Sequence, residues 1–171
     1  MIEKQVPNWF RIGVFSSGGN IERIAHAGLS SNGRLCFVSG EDDYPFMVWD
    51  IKNAKIIWVA NEFRRHHSDL SGFVKNEHIE IDEEPAIGSY RVFGINENYA
   101  LQRNVGMQIE IKLEETLNAL LLTKFSTNQE IQSLNYEAFS GDWTFASFSD
   151  DGSVIAVMEP YYITFFGWEQ P

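Results

Sequence analysis

The chain has one cysteine among 171 residues, Cys36, so neither an intrachain disulfide nor a cysteine-based zinc site can form. It has no window near the roughly 18 consecutive apolar residues of a transmembrane helix, which excludes a helical membrane span. The opening stretch "MIEKQVPNWFRIGVF" carries charges and Pro7 where a signal peptide would have an apolar core. These absences lead us to expect a soluble protein of a reducing compartment, the cytoplasm. Basic residues are scarce too. Thirteen Lys and Arg face 24 Asp and Glu, a formal charge of -11, which opposes binding to a phosphate backbone and favours basic partners. "SSGGN" lacks the lysine of a phosphate-binding loop, and no G-x-S-x-G elbow occurs. No cofactor is expected.

What the chain does have is a folding composition, 44% hydrophobic and 14% aromatic. Its apolar residues come in short or alternating runs broken by turn residues, the signature of an all-β chain. "WFRIGVF" runs into "SSGGN", and "IERIAHAGL" is followed by "SSNG", whose Asn-Gly is a strong hairpin signal. "RLCFVSG", "FMVWDI" and "KIIWVA" follow, separated by "EDDYP" and "KNA". Farther on come "HIEID", "YRVFGI", "YALQR" and "MQIEIKL". The last alternates so that Met107, Ile109, Ile111 and Leu113 share one face. At the end, "WTFASFS" and "SVIAVM" flank "DDG", and "YYITFFGW" follows "EP". In "LEETLNALLL" the leucines also fit helical spacing, but the upstream alternation favours strand–turn–strand. With no linker or low-complexity tract, residues 1–171 read as one domain.

Three segments share an order of runs and turns: "GLSSNGRLCFVSGEDDYPFMVWDIKNAKIIW", "ASFSDDGSVIAVMEPYYITFFGW" and the weaker "SYRVFGINENYALQRNVGMQIEIKLEETLNALLL". The first resembles a WD-repeat blade. It has small-polar-Gly at the first hairpin, "VSGED" after the second strand, and Trp49-Asp50 where that family's namesake dipeptide falls. The third strand of "ASFSDDGSVIAVMEPYYITFFGW" has Phe-Phe or Phe-Gly instead, and the turns recur at about 55 to 65 residues against the usual 40 to 45. The resemblance implies a small β-propeller-like domain of three to four blades, with the N-terminal "NWFRIGVF" closing the last blade. Propellers have four to eight blades. Residues 62–88 could therefore build a further degenerate blade, two chains could share a ring as a homodimer, or the sheets could form an unrelated sandwich or barrel. We favour the first.

Two loops stand out as a contact surface. In the blade reading, "EDDYP" and the connection "NEFRRHHSD" share one face, which joins Glu41, Asp42, Asp43 and Tyr44 with Arg64, Arg65, His66 and His67. An aromatic anchor among charges is a common composition for a protein-binding hot spot. The adjacent histidines point to opposite sides of an extended chain and chelate poorly, so a metal site would need His26 or His78 brought in by folding. Further acids cluster at Asp82, Glu83 and Glu84, at Glu114 and Glu115, and at Asp150 and Asp151, without the spacing of a calcium loop. We expect a non-catalytic module that binds a basic protein, an inhibitor of the antitoxin or immunity type. The alternatives are a scaffold subunit of a larger complex and a metal-dependent hydrolase using the His66/His67 loop.

Overall fold

A computed structural model describes residues 8–18, 23–40, 46–60, 74–94, 101–114, 117–136 and 142–168. Fourteen strands are described: β1 (Trp9–Ser16), β2 (Ile24–Ser30), β3 (Leu35–Gly40), β4 (Phe46–Asp50), β5 (Lys55–Ala60), β6 (His78–Ile81) and β7 (Gly88–Gly94), then β8 (Arg103–Asn104), β9 (Ile109–Glu114), β10 (Ala119–Lys124), β11 (Glu130–Asn135), β12 (Phe145–Phe148), β13 (Val154–Met158) and β14 (Tyr162–Trp168). The chain is all-β, and every strand pairing is antiparallel. The described residues contain no α-helix, and so none long and apolar enough to cross a membrane.

The strands form three sheets with orders β1-β14-β13-β12, β11-β10-β9-β8 and β5-β4-β3-β2-β7-β6. In the first, the N-terminal strand lies outermost, Trp9 opposite Trp168 and Ser16 opposite Tyr162. The chain thus completes its C-terminal sheet with its own first strand. This sheet is the middle layer, and its residue alternation says why. Val154, Ala156, Met158, Ile163 and Phe165 face one core cluster with β2, β3 and β4 residues. Ile155, Val157, Phe166 and Trp9 face another with β9 and β10 residues. A strand with both faces covered has no need of a polar side, and all five residues of β13 are buried.

The six-stranded sheet buries its other face by curling. Phe37, Phe46, Val48 and Trp58 from β3–β5 meet Ile79, Ile81, Tyr90 and Val92 from β6 and β7 in a third cluster. Trp58 on one edge strand donates its indole N–H to Glu83, in the turn beyond the other edge strand, at 2.7 Å. The middle sheet is also tied to the β11-β10-β9-β8 sheet by Gln132 of β11. Its amide accepts from Trp9 N–H at 2.9 Å and donates to Trp9 C=O at 2.7 Å, satisfying an edge-strand backbone with a side chain.

The expected runs recur as strands except "YALQR", of which Leu101 and Gln102 lie outside any strand and only Arg103 enters one, β8; in "LEETLNALLL", β9 and β10 pair antiparallel with Leu120 opposite Leu113. Leu117, which the helical spacing would have buried, is 71% exposed. Three further details differ from expectation. Met107 lies in the turn before β9, where Gln108 has φ 56°, so the alternation starts at Ile109. In the weaker third segment β7 pairs with β2 and β6, while β8 pairs with β9, so its first two runs do not form a hairpin with each other. Residues 74–94, the described part of the expected extra blade and its continuation, extend the six-stranded sheet rather than forming a sheet of their own. Trp49 is half-buried, its ring edge-to-face with Phe15 at 5.1 Å, and Asp50 accepts from Asn53 N–H and Nδ2 at 3.1 and 2.8 Å across the β4–β5 turn.

Candidate functional site

Glu41, Asp42, Asp43, Tyr44, Arg64, Arg65, His66 and His67 lie outside the described residues. The described framework nevertheless fixes where both loops are rooted. Ile24 is opposite Gly40, and Phe46 is opposite Ala60, so the end of β3, the start of β4 and the end of β5 share one end of the six-stranded sheet.

At the opposite end, two turns are built alike. Between β2 and β3, Gly33 N–H donates to Ser30 C=O at 2.9 Å. Ser30 Oγ donates to Asn32 Oδ1 at 3.0 Å, Arg34 N–H donates to the same oxygen at 3.1 Å, and Leu35 N–H donates to Ser30 Oγ at 3.0 Å. Between β12 and β13, Gly152 N–H donates to Ser149 C=O at 2.9 Å. Ser149 Oγ donates to Asp151 Oδ1 at 2.8 Å, Ser153 N–H to that oxygen at 2.9 Å, and Val154 N–H to Ser149 Oγ at 3.1 Å. The pattern is Ser-x-Asx-Gly in both, with the side chains standing in for missing ladder bonds. The glycines have φ +70° and +75°, the left-handed region that favours glycine. The turns also touch: Asp151 N–H donates to Ser31 C=O at 3.0 Å, and Ser153 Oγ to Asn32 C=O at 3.3 Å.

The second residue of the pattern differs, Ser31 in one turn and Asp150 in the other. Asp150 is gripped by the β6–β7 hairpin. Arg91 Nε donates to its Oδ1 at 2.7 Å, and His78 Nε2 lies 3.2 Å from its Oδ2. Arg91 also pairs with Glu77. His78 and Arg91 are direct cross-strand neighbours, so their side chains reach the turn together. Just before β6, Lys75 and His78 exchange backbone bonds at 2.8 and 2.9 Å, with Asn76 and Glu77 at φ 51° and 65°, the two left-handed residues of a type I′ turn. Partial burial works against the Asp150 charge, but the bonds and charges of Arg91 and His78 outweigh it and hold the carboxyl below its ordinary value. Burial likewise opposes the Arg91 charge, and Asp150 and Glu77 more than offset it.

This cluster is not built for general-base chemistry. His78 Nδ1 lies 2.6 Å from the carbonyl of Asn76, a group that only accepts, and Nε2 faces a carboxylate. Neither nitrogen is left for a nucleophile's proton. His26 is buried in β2 beside Ser39 Oγ at 3.4 Å, pointing at a different partner from His78. Among the described residues, no three His, Cys, Asp or Glu side chains converge to hold a metal. Cys36 is buried, and desolvation pushes its thiol up to about 12 against a backbone hydrogen bond from Gly28, leaving it inert.

The acid run that starts in β6 and continues into the turn after it is different in kind. Glu80, Asp82 and Glu84 are exposed, and among the described residues their side chains make no hydrogen bond or ion pair, while Glu83 holds Trp58. Beside them Ile87 is 55% exposed. The sequence showed the run, but gave no sign that Arg91 and His78 would serve Asp150, because that pairing spans 59 and 72 positions. No protein-family model matches the chain, and no curated protein matches it either.

Proposed function

We propose that this chain is a non-catalytic protein-binding module, an acidic inhibitor of a basic partner protein. The carrying observation is that Glu80, Asp82 and Glu84, in β6 and the turn after it, are exposed charged side chains that no contact within the described fold uses, with Ile87 exposed in the same turn. Folding gains little from such exposed acids, whereas unpaired carboxylates with an exposed apolar side chain in the same turn suit a cationic surface. The -11 charge adds a long-range field that speeds encounter with a positive partner. Glu41, Asp42, Asp43 and Tyr44, with Arg64, Arg65, His66 and His67, belong to the same reading as further contacts with the partner.

The architecture belongs to this proposal as well. We take the three meanders as propeller-like blades. Support comes from their face-to-face stacking, the closure of one sheet by β1 and the matched Ser-x-Asx-Gly turns. The test is capture from the native lysate on immobilised protein, washed first at low and then at high salt, with mass spectrometry of each eluate. One stoichiometric basic protein, released by salt, is the expected result. A set of mutually associated proteins resistant to salt would replace this reading with that of a scaffold subunit.

A further inference from the structure

The clasp on Asp150 has a feature that its architectural role does not require. Three groups meet there from three elements: His78 from β6, Arg91 from β7 and Asp150 from the β12–β13 turn. Arginine alone could serve both carboxylate oxygens through its two-pronged guanidinium. Here it spends one nitrogen on Oδ1 and another on Glu77, and Oδ2 is left to the imidazole. The imidazole in turn has both nitrogens against acceptors, the Asn76 carbonyl and the carboxylate. A neutral ring carries one N–H and can meet only one of them. The arrangement is complete with the imidazolium. When the ring has a single proton, the carbonyl at 2.6 Å keeps it, and a lone pair then faces Oδ2.

We propose that His78 is a proton-operated catch. Protonated, it fastens the β6–β7 hairpin to the middle sheet through Asp150; deprotonated, it lets go of that oxygen and leaves Arg91 as the one side chain among the described residues still bonded to Asp150. Histidine is the side chain that changes charge between pH 5 and 8, and Asp150 stays ionised throughout that interval. Every charged neighbour bears on the balance. The charged groups around the ring are Arg91, Lys75 in the preceding turn, Asp150 and Glu77, with Glu80 farther along β6 and Asp151 beside Asp150. The side chains of His78 and Asp150 are 22% and 30% exposed, enough for protons to exchange and little enough for the contact to matter. The catch stands whether or not the hairpin's acid run is a docking edge.

The sign follows from the proton count. The fastened state holds a proton that the released state gives up, so fastening is strongest on the acid side of the histidine range and fades above it. Amide hydrogen exchange on the full chain, corrected for intrinsic rates, tests this at about pH 6 and about pH 8. The amides of β6 and β7 should open about tenfold more often at the higher pH, the loss of one charge-assisted bond, while β13 should not change. In His78→Gln, whose side-chain amide donates at every pH, that difference should vanish. Equal protection at both pH values in the native chain, or an unchanged pH dependence in His78→Gln, would overturn the catch. Nitrogen shifts of the His78 ring decide it without any variant. The neutral ring must carry its proton on Nδ1, and an Nε2–H tautomer would refute the mechanism.

Discussion

The turns at 30–35 and 149–154 are two copies of one bend put to different uses. Serine, the Asx residue and glycine do the same work in both, down to which nitrogen meets which oxygen. The position between serine and Asx takes no part in the bend and is free to vary. In one copy it is Ser31, exposed at the surface; in the other it is Asp150, which ties a neighbouring sheet down. The bend and the side-chain clasp on the β6–β7 hairpin are therefore separable at adjacent residues, although both turns also meet through Asp151 N–H and Ser31 C=O.

The comparison can be broken most severely at the glycines. A Cβ on Gly33 would lie 2.6 Å from Val154 Cγ2 and 2.9 Å from its Cβ, a branched core residue with nowhere to go. A Cβ on Gly152 would meet the end of the Asn104 side chain at 2.0 Å, which can swing aside. Both substitutions also put alanine at positive φ. Urea denaturation should show Gly33→Ala losing about 3 kcal/mol and Gly152→Ala about 2. The reverse order would mean that the two bends are held differently.

Next in size is the variable position. Asp150→Ala strands Arg91 and His78 and should cost about 1–2 kcal/mol, whereas Ser31→Ala should stay within about 0.5. Equal losses would remove the distinction between them. Ser30→Ala and Ser149→Ala each delete a hydroxyl that donates to Asx and accepts a backbone N–H, so each should lose about 1 kcal/mol and differ by only a few tenths. The smallest effect is in acid. Because the Asp150 carboxyl is held below its ordinary value, its stabilisation is full above the usual carboxylate range near 4 and is lost as pH falls through the depressed value. Asp150→Asn should flatten that part of the stability–pH curve, and Ser31→Ala should leave it as it is.

Strand positions were legible because period-two alternation and Asx-Gly turns are local. The pairing of β1 with β14 was legible too, since an orphan first strand and a last sheet lacking a fourth strand imply each other. The destination of β7 was not. "YRVFGI" reads equally well as the first strand of a third unit, and only the curl of the six-stranded sheet places Tyr90 and Val92 in a core with Trp58. β11, "EIQSLN", went unseen because it is polar on both faces, with Leu134 its one buried residue. Of the candidate contact residues, Glu41–Tyr44 and Arg64–His67 fall outside the described residues, and the structure speaks only to the shared end from which their loops depart. The exposed acids were visible as Asp82–Glu84. That Glu83 belongs to the fold while its neighbours do not follows from the curl, which brings Trp58 against it.

Asp150 and Glu83 hold the fold, whereas Glu80, Asp82 and Glu84 make no side-chain hydrogen bond or ion pair among the described residues and are free for the proposed partner contact. The direct test is to reverse the free set together, as Glu80→Lys, Asp82→Lys and Glu84→Lys, and to measure low-salt capture of the basic partner alongside urea stability. The account predicts a stability change within about 0.5 kcal/mol, as for surface substitutions, and loss of capture. Capture that survives the reversal in a folded protein would contradict it.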